Sequence, residues 1–293
     1  MPPTVHVTGE LPARVQDALA QSFTLADRVE GVDGILSVLT TPVDGELLDR
    51  AGPGLRIVAN YGVGVDNVDL EAARARNVLI ANTPDVLTDA VAELTIALTL
   101  ALLRRVAEGD RFLRKRSRWS FSLEFMLGES LRGKTFGVVG PGRIGRAAAS
   151  LAEAFGARTL FAGRGDDLAV LLDTADVVSL HCPLTPETRH LIDAAALARM
   201  RPTSVLVNTA RGQIVDELAL VAALRDGTIA GAALDVYEHE PEVTVELVEL
   251  ENVVLTPHVA SATPETREAM GMLAVDALRA VLLEGRVPPN TVA

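Results

Sequence analysis

Short apolar runs alternate with stretches of helical spacing in the first ninety residues. A helix is predicted over residues 13–20, where apolar side chains recur on one helical face, and a shorter helix around Leu47 ends before Gly52 and Gly54. The apolar runs predict strands at residues 4–8, 34–39, 57–59 and 78–81. Because strands that alternate with helices form parallel sheets, we expect a small open α/β sheet here. Ligands of such sheets bind at the carboxyl ends of strands, so the exit loops at residues 60–66 and 82–84 are candidate substrate contacts.

A second series of apolar runs follows in the rest of the chain. A helix is predicted over residues 216–225, with Asp216 and Glu217 favourable near its start, and another over residues 264–283. The apolar runs predict six strands, at residues 136–139, 159–162, 177–180, 204–208, 230–234 and 253–255. Six strands suffice for a full doubly wound sheet. The last helix could pack back on the first ninety residues, which would make that domain discontinuous.

The segment at residues 88–108 is predicted to be one long helix. It is almost continuously apolar from residue 91 to residue 103, and a helix that is hydrophobic on all sides is buried between layers. It could connect two domains and serve as an interface, so a homodimer is the expected assembly. Trp119 follows in an irregular segment, where it either anchors a core or interface or forms one wall of a substrate pocket.

The sequence Gly140-Pro141-Gly142-Arg143-Ile144-Gly145 directly follows the strand at residues 136–139 and precedes an alanine-rich helix. Such a loop either is an ordinary turn or binds a dinucleotide, and the strand before it and the helix after it favour the dinucleotide. Gly140 would permit the tight turn, Gly142 would let backbone N–H groups approach a pyrophosphate, and Gly145 would let helix and strand pack closely. The predicted fold is therefore α/β, with a doubly wound Rossmann dinucleotide domain at residues 93–265. A smaller flavodoxin-like α/β substrate domain is predicted at residues 1–92 and 266–293.

Composition and charge narrow the classes of partner. A net charge of −12 argues against nucleic acid or an anionic membrane, and the basic run at residues 111–118 is interpreted as a solvated helix face. The single cysteine, Cys182, excludes an internal disulfide framework. The five histidines are scattered without metal-binding spacing, so no metal is expected. The start of the chain lacks the features of a signal peptide, and the apolar run at residues 94–103 is too short to cross a bilayer, so a cytoplasmic protein is predicted.

The loop after the predicted strand at residues 159–162 bears on the choice of cofactor. NAD-binding domains usually carry an acidic residue at this position, which holds the ribose hydroxyls. Here Gly163-Arg164 stands there, and a guanidinium favours the 2′-phosphate of NADP(H). In the alternative, Arg164 is a surface residue and Asp166 or Asp167 swings in, which would allow NAD(H).

Three candidate catalytic residues, Arg211, Glu240 and His258, each follow the end of a predicted strand on the side of the glycine loop. Arg211 could hold the carboxylate and carbonyl of a 2-oxo acid, and His258 could protonate the new alkoxide. Glu240 would orient the imidazole and stabilise its charged form. Taken singly, each has an ordinary structural explanation: a surface salt bridge for Arg211, a solvated loop acid for Glu240 and a capped turn for His258.

Six motifs in order resemble the D-specific 2-hydroxyacid dehydrogenase family, and within it the Gly163-Arg164 tip and the Trp119 segment look most like the glyoxylate and hydroxypyruvate reductases. The six motifs lie at residues 63–69, 82–88, 137–145, 208–212, 234–241 and 256–258. The resemblance implies a hydride transfer between NAD(P)H and C2 of a small 2-oxo or 2-hydroxy acid. In this role Arg211 binds substrate, His258 is the acid/base that also contacts substrate and cofactor, Glu240 tunes it, and Val63 and Gly64 offer N–H groups to the carboxylate. The implied cofactor contacts are Thr88, Arg143, Ile144, Pro183, Thr188, Thr209, Ala210, Asp235 and Ala260.

Two alternatives to this function remain open. One is an NAD-dependent enzyme of the phosphoglycerate dehydrogenase type, and the other is a nucleotide-sensing corepressor or scaffold on the same fold. An intact set of Arg211, Glu240 and His258 argues against a binding protein, because catalysis requires these groups and nucleotide sensing does not. The sequence therefore favours an oxidoreductase that acts on CH–OH groups and reduces glyoxylate or hydroxypyruvate.

Overall fold

The computed structural model describes residues 2–293, which divide into two compact units. One unit contains the chain up to Leu87 together with Ser261–Ala293, and the other is Thr88–Ala260. The divisions fall a few residues before the predicted boundaries at residues 92 and 265, because the helix that begins at Thr88 packs as a whole within the second unit. Each unit has its own parallel sheet, which confirms the predicted α/β class.

The first unit contains a five-stranded sheet of short, largely buried strands. The strands are β1 (Thr4–Val7), β2 (Thr24–Ala26), β3 (Gly34–Val38), β4 (Ile57–Tyr61) and β5 (Leu79–Ala81). All neighbours are parallel and the order is β2-β1-β3-β4-β5, the order of a flavodoxin-like sheet. Ala59 pairs with Ala81, so the exit loops of β4 and β5 begin side by side.

Three helices connect these strands: α1 (Ala13–Ser22), α2 (Gly45–Ala51) and α3 (Leu70–Ala75). The side chains of Asp44 and Asp69 cap α2 and α3 by accepting backbone N–H groups of the first turn. Leu48 and Ala73 are buried in the core that these two helices form on one face of the sheet. Helices α2 and α3 therefore follow from local capping residues and a single apolar face each.

The second unit contains a six-stranded parallel sheet. The strands are β6 (Thr135–Val139), β7 (Arg158–Ala162), β8 (Val177–Leu180), β9 (Val205–Asn208), β10 (Gly231–Leu234) and β11 (Val253–Leu255). The order β11-β10-β9-β8-β6-β7 places β6 between β7 and β8, where the strand order reverses. Ligands of doubly wound sheets bind at the carboxyl ends of the strands at such a switch point.

Helices cover both faces of this second sheet. They are α4 (Thr88–Leu103), α5 (Val106–Arg114), α6 (Arg143–Ala154), α7 (Leu168–Thr174), α8 (Ala194–Arg199), α9 (Glu217–Arg225) and α10 (Val245–Glu249). Ile96 of α4 and Ala148 of α6 lie in the core on one face, whereas Leu171, Leu197 and Leu220 lie in the core on the other. The sheet is thus buried on both sides, as its continuous apolar strands predict.

The last helix, α11 (Pro264–Leu282), belongs to the first unit. It packs against α1, β3 and β4, and Arg279 donates hydrogen bonds to the hydroxyl of Ser22 and the carbonyl of Ala18. The first unit is therefore discontinuous in sequence. In the described part of the chain, every helix is too short or too polar to span a lipid bilayer.

The prediction of a single helix over residues 88–108 was wrong. The chain leaves the helical path after Leu103, Arg105 adopts a left-handed conformation with φ of 53°, and α5 starts at Val106. The guanidinium of Arg105 pairs with Glu108 at 2.6 Å, which holds the turn in a conformation that non-glycine residues rarely adopt. Five elements of three to seven residues were also not predicted, since so few residues show no clear period: β2, α3, α7, α8 and α10.

Candidate active site

The glycine loop connects β6 to α6 at the switch point of the second sheet. Gly140 has φ of +91°, and a Cβ at this position would lie 2.5 Å from the backbone nitrogen of Cys182, so no side chain fits. A Cβ on Gly145 would lie 2.5 Å from the carbonyl oxygen of Gly140, so the helix packs directly on the turn. In contrast, a Cβ on Gly142 would meet nothing within 4 Å. This opening at the N-terminus of α6 fits the pyrophosphate of a dinucleotide.

Four further predicted cofactor contacts lie around this loop. Arg143 and Ile144 are the first residues of α6, immediately after the N-cap Gly142. On the loop after β8, the hydroxyl of Thr188 donates to the carbonyl of Pro183 at 2.7 Å. The contact folds that loop on itself at the carboxyl end of β8, the strand next to β6.

The loop after β7 has an exposed arginine and two acids engaged with the backbone. Asp166 accepts the backbone N–H of Gly163 at 2.7 Å, and Asp167 caps α7 by accepting the N–H of Ala169 at 2.9 Å. Arg164, two residues before Asp166, is exposed. Both acids that could replace Arg164 in ribose binding therefore already accept local hydrogen bonds.

Glu240 and His258 form a direct pair on the loops after β10 and β11. Nδ1 of His258 lies 2.7 Å from Oε2 of Glu240, and each side chain is about one third exposed, at 35% and 33%. Burial by itself raises the pKa of the Glu240 carboxyl. The hydrogen bonds from His258 and from the Tyr237 N–H, together with the positive charge of Arg211, lower the pKa by more than burial raises it. The pKa of Glu240 is therefore below its ordinary value. The carboxylate stays ionised and accepts the Nδ1 proton, which leaves Nε2 of the imidazole for proton transfer.

Asp235, at the end of β10, is fully buried and organises the loop that carries His258. Its carboxylate accepts the hydroxyl of Thr256 at 2.6 Å and the N–H groups of Val259 and Ala260 at 2.9 and 2.8 Å. His258, whose φ is 52°, donates its own N–H to the carbonyl of Asp235 at 2.8 Å. The family resemblance implied a cofactor contact for Asp235 and did not predict this anchoring.

Arg211 lies in the loop after β9, the strand between β8 and β10. Its carbonyl accepts the amide of Asn208 at 2.9 Å, and its Nη1 donates to the carbonyl of Ala210 at 2.7 Å. Its charge contributes to the lowered pKa of Glu240. The structure thus places all three predicted catalytic side chains on consecutive strand ends of one sheet.

Three of the remaining predicted cofactor contacts of this unit, Thr209, Ala210 and Ala260, lie near the same strand ends. The hydroxyl of Thr209 is 2.9 Å from that of Thr95, a buried residue of α4. Ala210 donates its N–H to the side chain of Asn208 at 3.0 Å. Thr88 is the first residue of α4, and Ala260 is nearly buried, at 7% exposure.

In the first unit, Val63 and Gly64 lie in the loop after β4, and two asparagines fix this loop. Asn82 donates its amide to the carbonyl of Val63 at 2.8 Å, and Asn60 donates its amide to the carbonyl of Gly64 at 2.9 Å. Within residues 2–293, the N–H groups of Val63 and Gly64 make no hydrogen bond. The sequence pointed to both exit loops but not to this role of Asn60 and Asn82, although each directly follows a predicted strand.

Residues 96–260 match the family described as D-isomer specific 2-hydroxyacid dehydrogenase, NAD binding domain. A glyoxylate reductase of Thermococcus litoralis is 45% identical over 285 residues, which cover 92% of this chain and 86% of that protein.

Two crystal structures have closely similar folds. A protein from Thermus thermophilus has a TM-score of 0.93 at 44% identity, with 99% of this chain and 100% of the other covered. An NADPH-dependent glyoxylate/hydroxypyruvate reductase from Sinorhizobium meliloti, in complex with NADP and malonate, has a TM-score of 0.88 at 38% identity. The alignment covers 100% of this chain and 97% of the reductase chain.

The family match and the relatives agree with the resemblance that the sequence motifs carry. The match covers more than half of the chain, and the relatives cover nearly all of it. An oxidoreductase that uses a nicotinamide dinucleotide is therefore confirmed. The chain belongs to the D-isomer specific 2-hydroxyacid dehydrogenase family.

Proposed function

We propose that this enzyme transfers a hydride reversibly between a nicotinamide dinucleotide and C2 of a small 2-oxo acid, with glyoxylate or hydroxypyruvate as substrate. The observation that carries the proposal is the pair of His258 and Glu240, 2.7 Å apart on loops of the sheet that also carries the glycine loop and Arg211. Such a pair is a proton donor held in one orientation. The names of the relatives support the choice of substrate.

In this mechanism Arg211, His258 and Glu240 have distinct tasks. Arg211 binds the carboxylate and polarises the carbonyl through its guanidinium. In the direction of reduction, the imidazolium form of His258 gives its Nε2 proton to the carbonyl oxygen and becomes a neutral imidazole, while Glu240 accepts the Nδ1–H and stabilises the charged form; in the reverse direction Nε2 takes the proton back. The reduced nicotinamide, when bound, supplies the hydride.

Val63 and Gly64 supply the proposed contact to the substrate carboxylate. Their carbonyls are held by Asn82 and Asn60, and their N–H groups are unpaired within the described residues. Adjacent N–H groups form a concave site that binds anions. A small 2-oxo acid offers such an anion directly beside the carbon to be reduced.

For the cofactor we propose a preference for NADP(H). Arg164 is the exposed cation of the loop after β7, while the carboxylates of Asp166 and Asp167 already accept backbone N–H groups. A guanidinium binds phosphate through charge-assisted hydrogen bonds and favours a cofactor with a 2′-phosphate. Further cofactor contacts are proposed at Thr88, Arg143, Ile144, Pro183, Thr188, Thr209, Ala210, Asp235 and Ala260.

We also propose a homodimer in the cytoplasm. Apolar side chains at the surface favour an interface, and Phe121 and Leu123, in the segment after α5, are 82% and 84% exposed. The continuous apolar run of α4 does not provide this surface, because most of its large side chains pack inside the second unit. The cytoplasmic location stays a prediction from the sequence.

Replacing His258 with alanine tests the assignment. The variant should lose about 100-fold to 10,000-fold in kcat for glyoxylate with NADPH, because the proton donor is removed. The His6→Ala variant, altered in β1 of the first unit, should retain wild-type kcat. A substrate panel of glyoxylate, hydroxypyruvate, pyruvate and phosphohydroxypyruvate, with both reduced cofactors, identifies the substrate. Full activity of His258→Ala, or reduction of none of the four acids by the wild type, would overturn the proposal.

A further inference from the structure

Glu217 is a buried acid that the proposed mechanism does not use. It is the first residue of α9 and only 4% exposed. One carboxylate oxygen accepts the N–H of Glu238 at 2.5 Å, and the other accepts the hydroxyl of Thr244. A carboxylate is costly to bury unless its oxygens are hydrogen-bonded. Both hydrogen-bond partners of the Glu217 carboxylate, Glu238 and Thr244, lie on the segment that contains Glu240.

Glu238, two residues before Glu240, is held at three points. Besides the bond from its N–H to Glu217, its carbonyl accepts the amide of Gln213 at 2.9 Å. Its carboxylate lies 2.6 Å from Nε2 of His190. The main chain and the side chain of Glu238 are therefore both fixed, and with them the start of the turn that leads to Glu240.

This turn also packs against the loop of Arg211. A Cβ on Gly212 would lie 1.8 Å from the carbonyl carbon of Tyr237 and 2.4 Å from the nitrogen of Glu238, so the two main chains are in direct contact. The N–H of Tyr237 in turn donates to the carboxylate of Glu240 at 2.9 Å. The peptide between Tyr237 and Glu238 thus supports both the loop that carries the guanidinium of Arg211 and the loop that carries Glu240.

We propose that Glu217 is a positioning residue for catalysis, acting through the peptide of Glu238 to hold Glu240 against Nδ1 of His258. The inference rests on the proposed function of that pair. Without the Glu217 carboxylate, the N–H of Glu238 and the hydroxyl of Thr244 lose their acceptor and the turn can shift. The imidazole is then held less well, so proton transfer slows while the substrate contacts of Val63 and Gly64 are unchanged.

The experiment compares Glu217→Ala and Glu217→Gln with Glu249→Ala, a control at an exposed acid of α10. Glutamine can accept the N–H of Glu238 and donate to the hydroxyl of Thr244, so it should retain kcat within about threefold. Alanine should lower kcat for glyoxylate by about 10-fold to 100-fold, part of the full effect of a general acid. KM should change by less than about threefold, and the pH profile of kcat should move toward that of Glu240→Ala. The Glu249→Ala control should match the wild type.

Two results would overturn the inference. One is a Glu217→Ala enzyme with wild-type kcat and pH profile, and the other is a loss of stability alone, in which activity per folded molecule keeps the wild-type profile. If Glu217→Ala does not fold, Gln213→Ala removes the bond to the carbonyl of Glu238 and should give the same change in kcat and pH profile. A wild type that reduces no 2-oxo acid contradicts the proposed function, whereas an active wild type with an unaffected variant contradicts only the role of Glu217.

Discussion

At the scale of single residues, the charge on the loop after β7 is expected to decide between the two cofactors. Arg164 is exposed there, and its positive charge adds to the effect of the hydrogen bond from Thr185 in lowering the pKa of the Glu187 carboxyl. A carboxylate therefore already lies within the electrostatic range of Arg164. The 2′-phosphate of NADP(H) would compete with it through stronger, charge-assisted hydrogen bonds.

Replacing Arg164 with aspartate should reverse the cofactor preference. A lost hydrogen bond to a charged group corresponds to about 1.5–3 kcal/mol, so the ratio of kcat/KM for NADPH to that for NADH should fall about 10-fold to 100-fold. Arg158→Asp makes the same change in charge at the opposite end of β7 and should leave the ratio unchanged. Steady-state kinetics with NADPH and NADH measure this ratio of kcat/KM values in each variant. An unchanged ratio in Arg164→Asp would remove the basis for an NADP(H) preference.

His181 gives the stability of the fold a specific dependence on pH. Burial of its ring lowers the pKa to about 4 from an ordinary 6.5, and Nε2 lies 2.8 Å from the hydroxyl of Ser179. The ring stays neutral in the folded state while the unfolded chain takes up a proton below pH 6.5. Above pH 6.5, His181 therefore costs the folded state no stability. As the pH falls from 6.5 toward 4 the free energy of unfolding decreases, and below pH 4 His181 causes no further decrease.

His181→Gln should flatten this part of the stability curve. Between pH 7 and pH 4 the free energy of unfolding should fall by as much as about 3 kcal/mol more in the wild type than in the variant. This figure is the difference between the folded and unfolded pKa of His181, at 1.36 kcal/mol for each unit. Denaturant unfolding at a series of pH values measures the difference. His239→Gln, at an exposed histidine, should follow the wild type. Parallel curves for His181→Gln and the wild type would show that His181 titrates alike in both states.

At the scale of secondary-structure elements, the loop after β4 shows how neighbouring strand ends build a binding site. The side-by-side pairing of β4 and β5 brings Asn82 within 2.8 Å of the carbonyl of Val63. The carbonyl is held inward, and the peptide N–H groups of the loop stay available to an anion. The order of the strands therefore determines the geometry of the proposed carboxylate site.

Asn82→Ala should weaken substrate binding selectively. Loss of one hydrogen bond of about 1 kcal/mol should raise KM for glyoxylate about fivefold, with kcat changed by less than about twofold. The KM for NADPH in the same enzyme is the internal control and should be unchanged. Equal increases in both KM values would indicate a general disturbance of the fold instead.

At the scale of the whole molecule, the exposed apolar segment after α5 is expected to form the subunit interface. Trp119 is 56% exposed and stacks on Phe125 with ring centroids 6.1 Å apart, so it is not part of a core within its own unit. Phe121 and Leu123 are still more exposed. We therefore expect a second copy of the chain to cover this segment.

Replacing Phe121 and Leu123 together with serine should dissociate the dimer. Burial of a large apolar side chain contributes about 1.5–3 kcal/mol, so dimer affinity should fall at least about a hundredfold. Light scattering over a dilution series measures the mass. Leu218→Ser alters another exposed leucine, on α9, and should leave the mass unchanged. A monomeric wild type, or a double variant that remains dimeric, would contradict this interface.

Local patterns along the chain were enough to predict the alternation of strands and helices, the glycine loop after β6 and the position of Arg211, Glu240 and His258 just past strand ends. These features depend on periodicity and turn chemistry over a few residues, which are local properties of the chain. The folded chain was needed to show that Asp235 anchors the His258 loop, that Glu217 accepts a hydrogen bond from the turn before Glu240, and that the helix predicted to continue past Leu103 ends there. Those outcomes depend on contacts between loops distant in sequence. The order of parallel strands, which local patterns do not encode, brings such loops together.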